Sequence, residues 1–129
     1  MPASHVLALF DGSRAGERAI SEATDLAREA GARLTILTLA AVEEPSRCCN
    51  MQTTSWNRDM RELAREELDR ARSLLTVDVD AEFVIREGRG RSAVANAAAD
   101  LGCDLIIEPG KRRGAPRRSA VAAGFNDAA

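Results

Sequence analysis

Tyrosine is absent from this chain of 129 residues, tryptophan and histidine occur once each, and phenylalanine occurs three times. Single-stranded nucleic acid is held largely by stacking on aromatic rings, so that class of partner lacks its platforms here. One histidine, His5, leaves little with which to build an imidazole triad or a zinc site. It reads as a bystander ahead of the first strand. The three cysteines, Cys48, Cys49 and Cys103, offer neither metal-ligand spacing nor a Cys-x-x-Cys motif, and the adjacent pair reads as free thiols on a loop. No apolar run approaches the ~20 residues that cross a bilayer, and no signal-peptide pattern opens the chain. The expected location is therefore cytoplasmic, with no membrane partner.

Net charge is small as well. At −2 the chain as a whole is no counterpart for nucleic acid. The balance is uneven, however. Lys111, Arg112, Arg113, Arg117 and Arg118 are five of the 18 basic residues, leaving 13 elsewhere against 20 acids. A basic stretch on an acidic body suggests a site for a small anion, or a solvated basic loop.

What the chain does contain is an ordinary globular mixture, 45% hydrophobic and 29% charged, of a length that suits one domain spanning residues 1–129. Val6–Phe10 is a continuous apolar run, as in a strand buried on both faces of a parallel sheet. It ends at Asp11-Gly12-Ser13, where Ser13 can cap a helix whose apolar positions Ala19, Ile20, Ala23, Leu26, Ala27 and Ala30 recur at helical spacing. Gly31 suits the left-handed residue after a helix, and Leu34–Leu39 reads as a second buried strand. Residues 40–54 lack periodicity and read as a mobile loop. From Trp56, the positions Met60, Leu63, Ala64, Leu68, Ala71, Leu74 and Leu75 describe a second helix. Ala81–Ile85 follows as a third strand. Gly88-Arg89-Gly90 leads into a third helix closed by Gly102, Asp104–Ile107 forms a fourth strand, and Pro116 can start a short last helix. Strands alternating with helices imply an α/β fold, an open parallel sheet covered on both faces. Ligands of such sheets bind beyond the carboxyl ends of the strands, where the strand order reverses. Asp11-Gly12-Ser13 and the stretch after strand four both belong at that end.

The segment VLALFDGSRAGERAISEATDLAREAGARLTILTL resembles the opening of a universal stress protein (UspA-like) domain. EFVIREGRGRSAVANAAADLGCDLIIEPG is similar to that family's second half. The resemblance implies a Rossmann-like sheet of the adenine nucleotide alpha hydrolase type, in the order 3-2-1-4-5. It further implies ATP or AMP held by the first-turn Asp, a residue ending strand two, and a Gly-x2-Gly-x9-Gly-(Ser/Thr) loop after strand four. Carried over by position, Asp11 contacts the ribose or adenine and Leu39 flanks the base through its backbone. Gly110, Gly114 and Gly124 stand for the phosphate loop.

Two departures weaken that implication. Lys111 occupies the position of the first loop glycine, with Gly110 one place off, and Phe125 stands where a hydroxyl should donate to phosphate. The family's fifth strand also has no apolar counterpart here, so the expected order is 3-2-1-4, with strand four an uncovered edge. The leading expectation is a small, non-enzymatic stress-response protein that binds ATP or AMP weakly or not at all and self-associates through strand four, its tail or its helices. Its rivals are an ATP-hydrolysing enzyme on the same fold and an adaptor using the sheet edge and basic tail. The enzyme reading lacks a Gly-x4-Gly-Lys-(Ser/Thr) loop.

Overall fold

The computed structural model describes residues 4–43, 50–75 and 78–114. In chain order its elements are β1 (His5–Leu9), α1 (Arg14–Ala30), β2 (Arg33–Ala40), α2 (Asn50–Leu74), β3 (Glu82–Glu87), α3 (Gly90–Leu101), β4 (Leu105–Glu108) and β5 (Lys111–Gly114). They form one sheet in the order β3-β2-β1-β4-β5. The first four strands are parallel, with Val6 opposite both Leu34 and Leu105. This is the α/β sheet with parallel order 3-2-1-4 that the alternation of elements implied.

Strand alternation divides the interior into two cores. Val6, Ala8, Phe10, Leu34, Ile36 and Ile107 face α1 and α2, meeting Ile20, Ala23, Leu68 and Ala71. Leu7, Leu37 and Ile106 point the other way onto Val94, Ala97, Ala98 and Cys103. A continuous apolar run such as Val6-Leu7-Ala8 is what both faces of a covered strand require. Each large aliphatic side chain so buried contributes roughly 1.5–3 kcal/mol.

The punctuation of α1 follows local chemistry. The Ser13 side chain accepts a hydrogen bond from the Gly16 amide, and Gly31 closes the helix at φ 63°. Gly102 closes α3 in the same way at φ 74°. At the outer edge, β3 is protected by charge. Glu82 pairs with Arg33 at 2.6 Å and Glu87 with Arg61 at 2.7 Å, which discourages further strand pairing.

Several expectations are corrected. The fourth strand is not an uncovered edge: Leu105–Glu108 pairs antiparallel with Lys111–Gly114, with Glu108 opposite Lys111 and Leu105 opposite Gly114. Pro109 and Gly110 make the turn, and Gly110 has φ 84°, which matches the second central residue of a type II turn, after a proline whose φ is preset. The sheet thus has a fifth strand, and a second chain could reach β4 only by displacing it. Helix α2 begins at Asn50 rather than Trp56, because its polar first turns carry no apolar period to reveal them. Leu63, read as a core position, is 44% exposed. His5 is no bystander. It is buried within β1, and its Nε2 lies 2.7 Å from Thr35 Oγ1. Burial, then the Arg33 charge, hold its pKa below the ordinary value. Cys48, Cys49 and Pro116 lie outside the described residues.

Candidate functional site

Strand order reverses at β1, whose neighbours β2 and β4 lead to opposite sides of the sheet. The β1 ladder continues one residue past the strand, where the Phe10 amide donates to the Leu37 carbonyl at 2.9 Å. Asp11 therefore emerges at the carboxyl rim. Its Oδ1 accepts the Ser13 amide at 3.0 Å and the Ser13 hydroxyl, and Ser13 Oγ in turn accepts the Gly16 amide at 3.0 Å. This chain of bonds fixes the carboxylate against the start of α1. Gly16 makes the fit possible: a Cβ there would lie 2.7 Å from Asp11 Oδ1, 3.1 Å from the Phe10 ring and 3.3 Å from the Asp11 nitrogen.

Helix α2 braces the same turn from the other side. Arg70 Nη1 donates to the Gly12 carbonyl at 3.0 Å, Nη2 lies 3.3 Å from Glu17, and the guanidinium sits 5.9 Å over the Phe10 ring. One turn earlier, Glu67 packs over Gly12. Its carboxyl is held above the ordinary pKa by burial first and by the Asp11 charge second, with Arg70 opposing. Where β2 ends, Asn57 clasps the backbone of Glu43 with reciprocal 2.7 Å bonds, amide to Oδ1 and Nδ2 to carbonyl.

The third contributor is the start of α3. Gly88 has φ 141° and Gly90 φ 72°. The first lies against Ala93, where a Cβ would approach to 2.9 Å. Arg89, at the cap position, makes no side-chain cap bond and pairs with Glu43 at 2.8 Å. Arginine has no acceptor to offer the first-turn amides, which therefore require acceptors from elsewhere.

Asp11 divides the rim into two cavities that share Leu9, Asp11 and Leu39. On the α3 side lies one of about 310 Å³, completed by Gly90, Arg91 and Val94 from α3 and by Glu108 and Pro109 after β4. On the α2 side lies one of about 210 Å³, completed by Phe10, Ala41, Met60, Leu63, Ala64 and Glu67. A third cavity, about 320 Å³ between α1 and the end of α2, includes Glu17 but neither Asp11, Leu39 nor any residue of α3. Among the described residues no three His, Cys, Asp or Glu side chains gather as a cation site.

Of the residues singled out from sequence, Asp11 and Leu39 line one cavity together. Gly110 follows Pro109 in the β4–β5 turn. Gly114 does not reach the rim: it lies opposite Leu105, at the amino end of β4, because β5 runs back along the sheet. Gly124 and Phe125 fall outside the described residues. Arg91, Glu67, Arg70 and Gly16 were not anticipated. Only the Gly88-Arg89-Gly90 sequence carried a signal, and it was read merely as a helix start.

The fold recurs in solved structures. A protein of the universal stress protein family from Burkholderia pseudomallei aligns with TM-score 0.66 and 23% identity over 97% of this chain and 89% of its own. UspA from Lactobacillus plantarum aligns with TM-score 0.64 and 19% identity, over 95% and 88%. A universal stress protein solved in complex with cAMP aligns with TM-score 0.56 and 25% identity, over 82% and 75%. Comparison with curated proteins yields no match. The universal stress protein family model matches residues 3–123, nearly the full length, and the chain belongs to that family.

Proposed function

We propose that this protein acts in stress response as a non-enzymatic member of its family, taking an adenine nucleotide such as ATP or AMP weakly in the α3-side crevice. One observation carries the reading: Asp11 and Leu39 line a single cavity with Gly90 and Arg91 at the strand-order reversal, the place where open α/β sheets bind ligands. A similar protein bound to cAMP supports the ligand class. The ribose lies at Asp11, the base beside Leu39, and the phosphate toward Arg91 and the first-turn amides of α3, where charge and helix dipole favour an anion.

Weak binding follows from the hairpin. Strand β5 commits Gly114 to a ladder position opposite Leu105, so that glycine cannot present its amide to a phosphate at the rim. Each lost hydrogen bond to a charged oxygen costs roughly 1.5–3 kcal/mol. The expected dissociation constant for ATP is therefore weaker than about 100 μM, under ~5.5 kcal/mol of binding energy. Isothermal titration with ATP and AMP, on the unmodified protein and on Asp11→Ala, tests the proposal. Weak saturable binding abolished by the substitution is expected. A tight complex, or one indifferent to Asp11, overturns it.

A further inference from the structure

The α2-side cavity shares Leu9, Asp11 and Leu39 with the crevice proposed above for a nucleotide, but its remaining walls play no part in that reading. Its walls are apolar, with Phe10, Leu39, Met60, Leu63 and Ala64 among them, and among the described residues its only polar lining side chains are Asp11 and Glu67. Both are carboxylic acids, and they approach from different elements, the β1–α1 turn and α2. Arg70 is the cation that acts on Glu67, but it already serves the Gly12 carbonyl, Glu17 and the Phe10 ring. The cavity is thus an apolar slot with an excess of negative charge at one end.

We propose that this pocket binds a small amphipathic amine, a single ring on a short chain ending in an ammonium group. Size and charge both select that class. A dry cavity of ~150 Å³ accepts a benzene ring, so about 210 Å³ takes one ring with a few further atoms. The ammonium donates to Glu67 and Asp11, relieving the repulsion between two carboxylates that share one already committed cation. With Asp11 exposed and Glu67 half-buried, the charged end keeps part of its hydration while the ring is buried, which avoids the cost of burying an unpaired charge. A carboxylate ligand of the same shape meets like charge instead.

The test compares three probes of nearly the same shape, 2-phenylethylamine, 2-phenylethanol and 3-phenylpropanoate, by isothermal titration against the full chain. Fluorescence of Trp56 gives a second readout. It is the single tryptophan, and its Nε1–H donates to the carbonyl of Ala41, a wall residue, at 3.2 Å. The amine is expected to bind about tenfold or more tightly than the carboxylate. Glu67→Gln, checked for unchanged melting, should weaken the amine several-fold and leave the alcohol unaffected. Equal binding of all three probes, no binding of the amine, or an amine complex indifferent to Glu67→Gln overturns the proposal. None of these outcomes depends on whether a nucleotide binds beside α3.

Discussion

Alkaline pH offers a direct measure of how tightly the α3-side core is sealed, because this chain has little else that titrates there. It has no tyrosine and a single lysine, Lys111, while arginines stay charged and the terminal amine titrates near pH 8. Cys103 is 5% exposed, packed among Leu7, Leu37, Ala98 and Ile106. Burial, reinforced by the neighbouring Asp104 charge, lifts its thiol from 9.0 to about 11. A raised acid pKa in the folded state means that the unfolded chain gives up the proton first. Stability is therefore intact below pH 9 and drains away between pH 9 and 11. Two units correspond to roughly 2.7 kcal/mol at the limit, and about half of that is already lost at pH 10. Urea unfolding from pH 8 to pH 10.5 should show this slope in a Cys48→Ser, Cys49→Ser background, where Cys103 is the last thiol. The slope should vanish when Cys103→Ala is added. Parallel pH profiles for the two proteins, or rapid reaction of Cys103 with a thiol reagent at pH 8, would refute the reasoning.

Three substitutions probe other parts of the molecule. Gly16→Ala gains up to ~1 kcal/mol of helix propensity but drives a methyl into Asp11 and Phe10, a clash costing about 1–3 kcal/mol; a net fall in melting temperature is expected, and a rise would show the turn can yield. Thr38 is fully buried and its hydroxyl has no partner among the described residues, so Thr38→Val should raise stability by about 1 kcal/mol in denaturant unfolding, and a loss would reveal a hidden partner. Gly110→Ala forces a side chain into left-handed backbone at φ 84°, at a cost of about 1–2 kcal/mol; amide exchange should speed up at residues 111–114 and stay unchanged in β1 and β2.

The parallel sheet was legible because its strands are covered twice. Val6–Phe10 is apolar at every position and Leu34–Leu39 at all but the buried Thr35 and Thr38, and the caps Ser13, Gly31 and Gly102 stand where the helices require them. Asp11 and Leu39 were legible for the same reason, since strand ends fix the rim. The hairpin was not. Lys111-Arg112-Arg113 has the composition of a loop, and what makes it a strand is the Pro109-Gly110 turn together with a free ladder edge on β4, which no local pattern reveals. That one turn also explains why Gly114 keeps the right spacing in sequence and the wrong end of the sheet in space. Glu67 and Arg70 were invisible because they act across a helix–strand junction, where sequence separation carries no information about contact.

The pairing of β1 with β4 joins Val6 to Leu105, and Ser4 and His5 are tied to Asp104 by four further hydrogen bonds, three to its carboxylate and one from its amide to the His5 carbonyl. The centre of the sheet is thus a seam between stretches of chain about 100 residues apart. Closing so long a loop carries an entropy cost that local pairs such as β4–β5 escape. During synthesis, at 5–20 residues per second, β1 must wait roughly 5–20 s for its second neighbour. Through that interval the chain offers Val6-Leu7-Ala8 as an apolar strand with one side unpaired, the kind of surface that invites aggregation or chaperone capture. The crevice beside Asp11 is consequently among the last features to exist: its far wall, Glu108 and Pro109, arrives only when the seam closes.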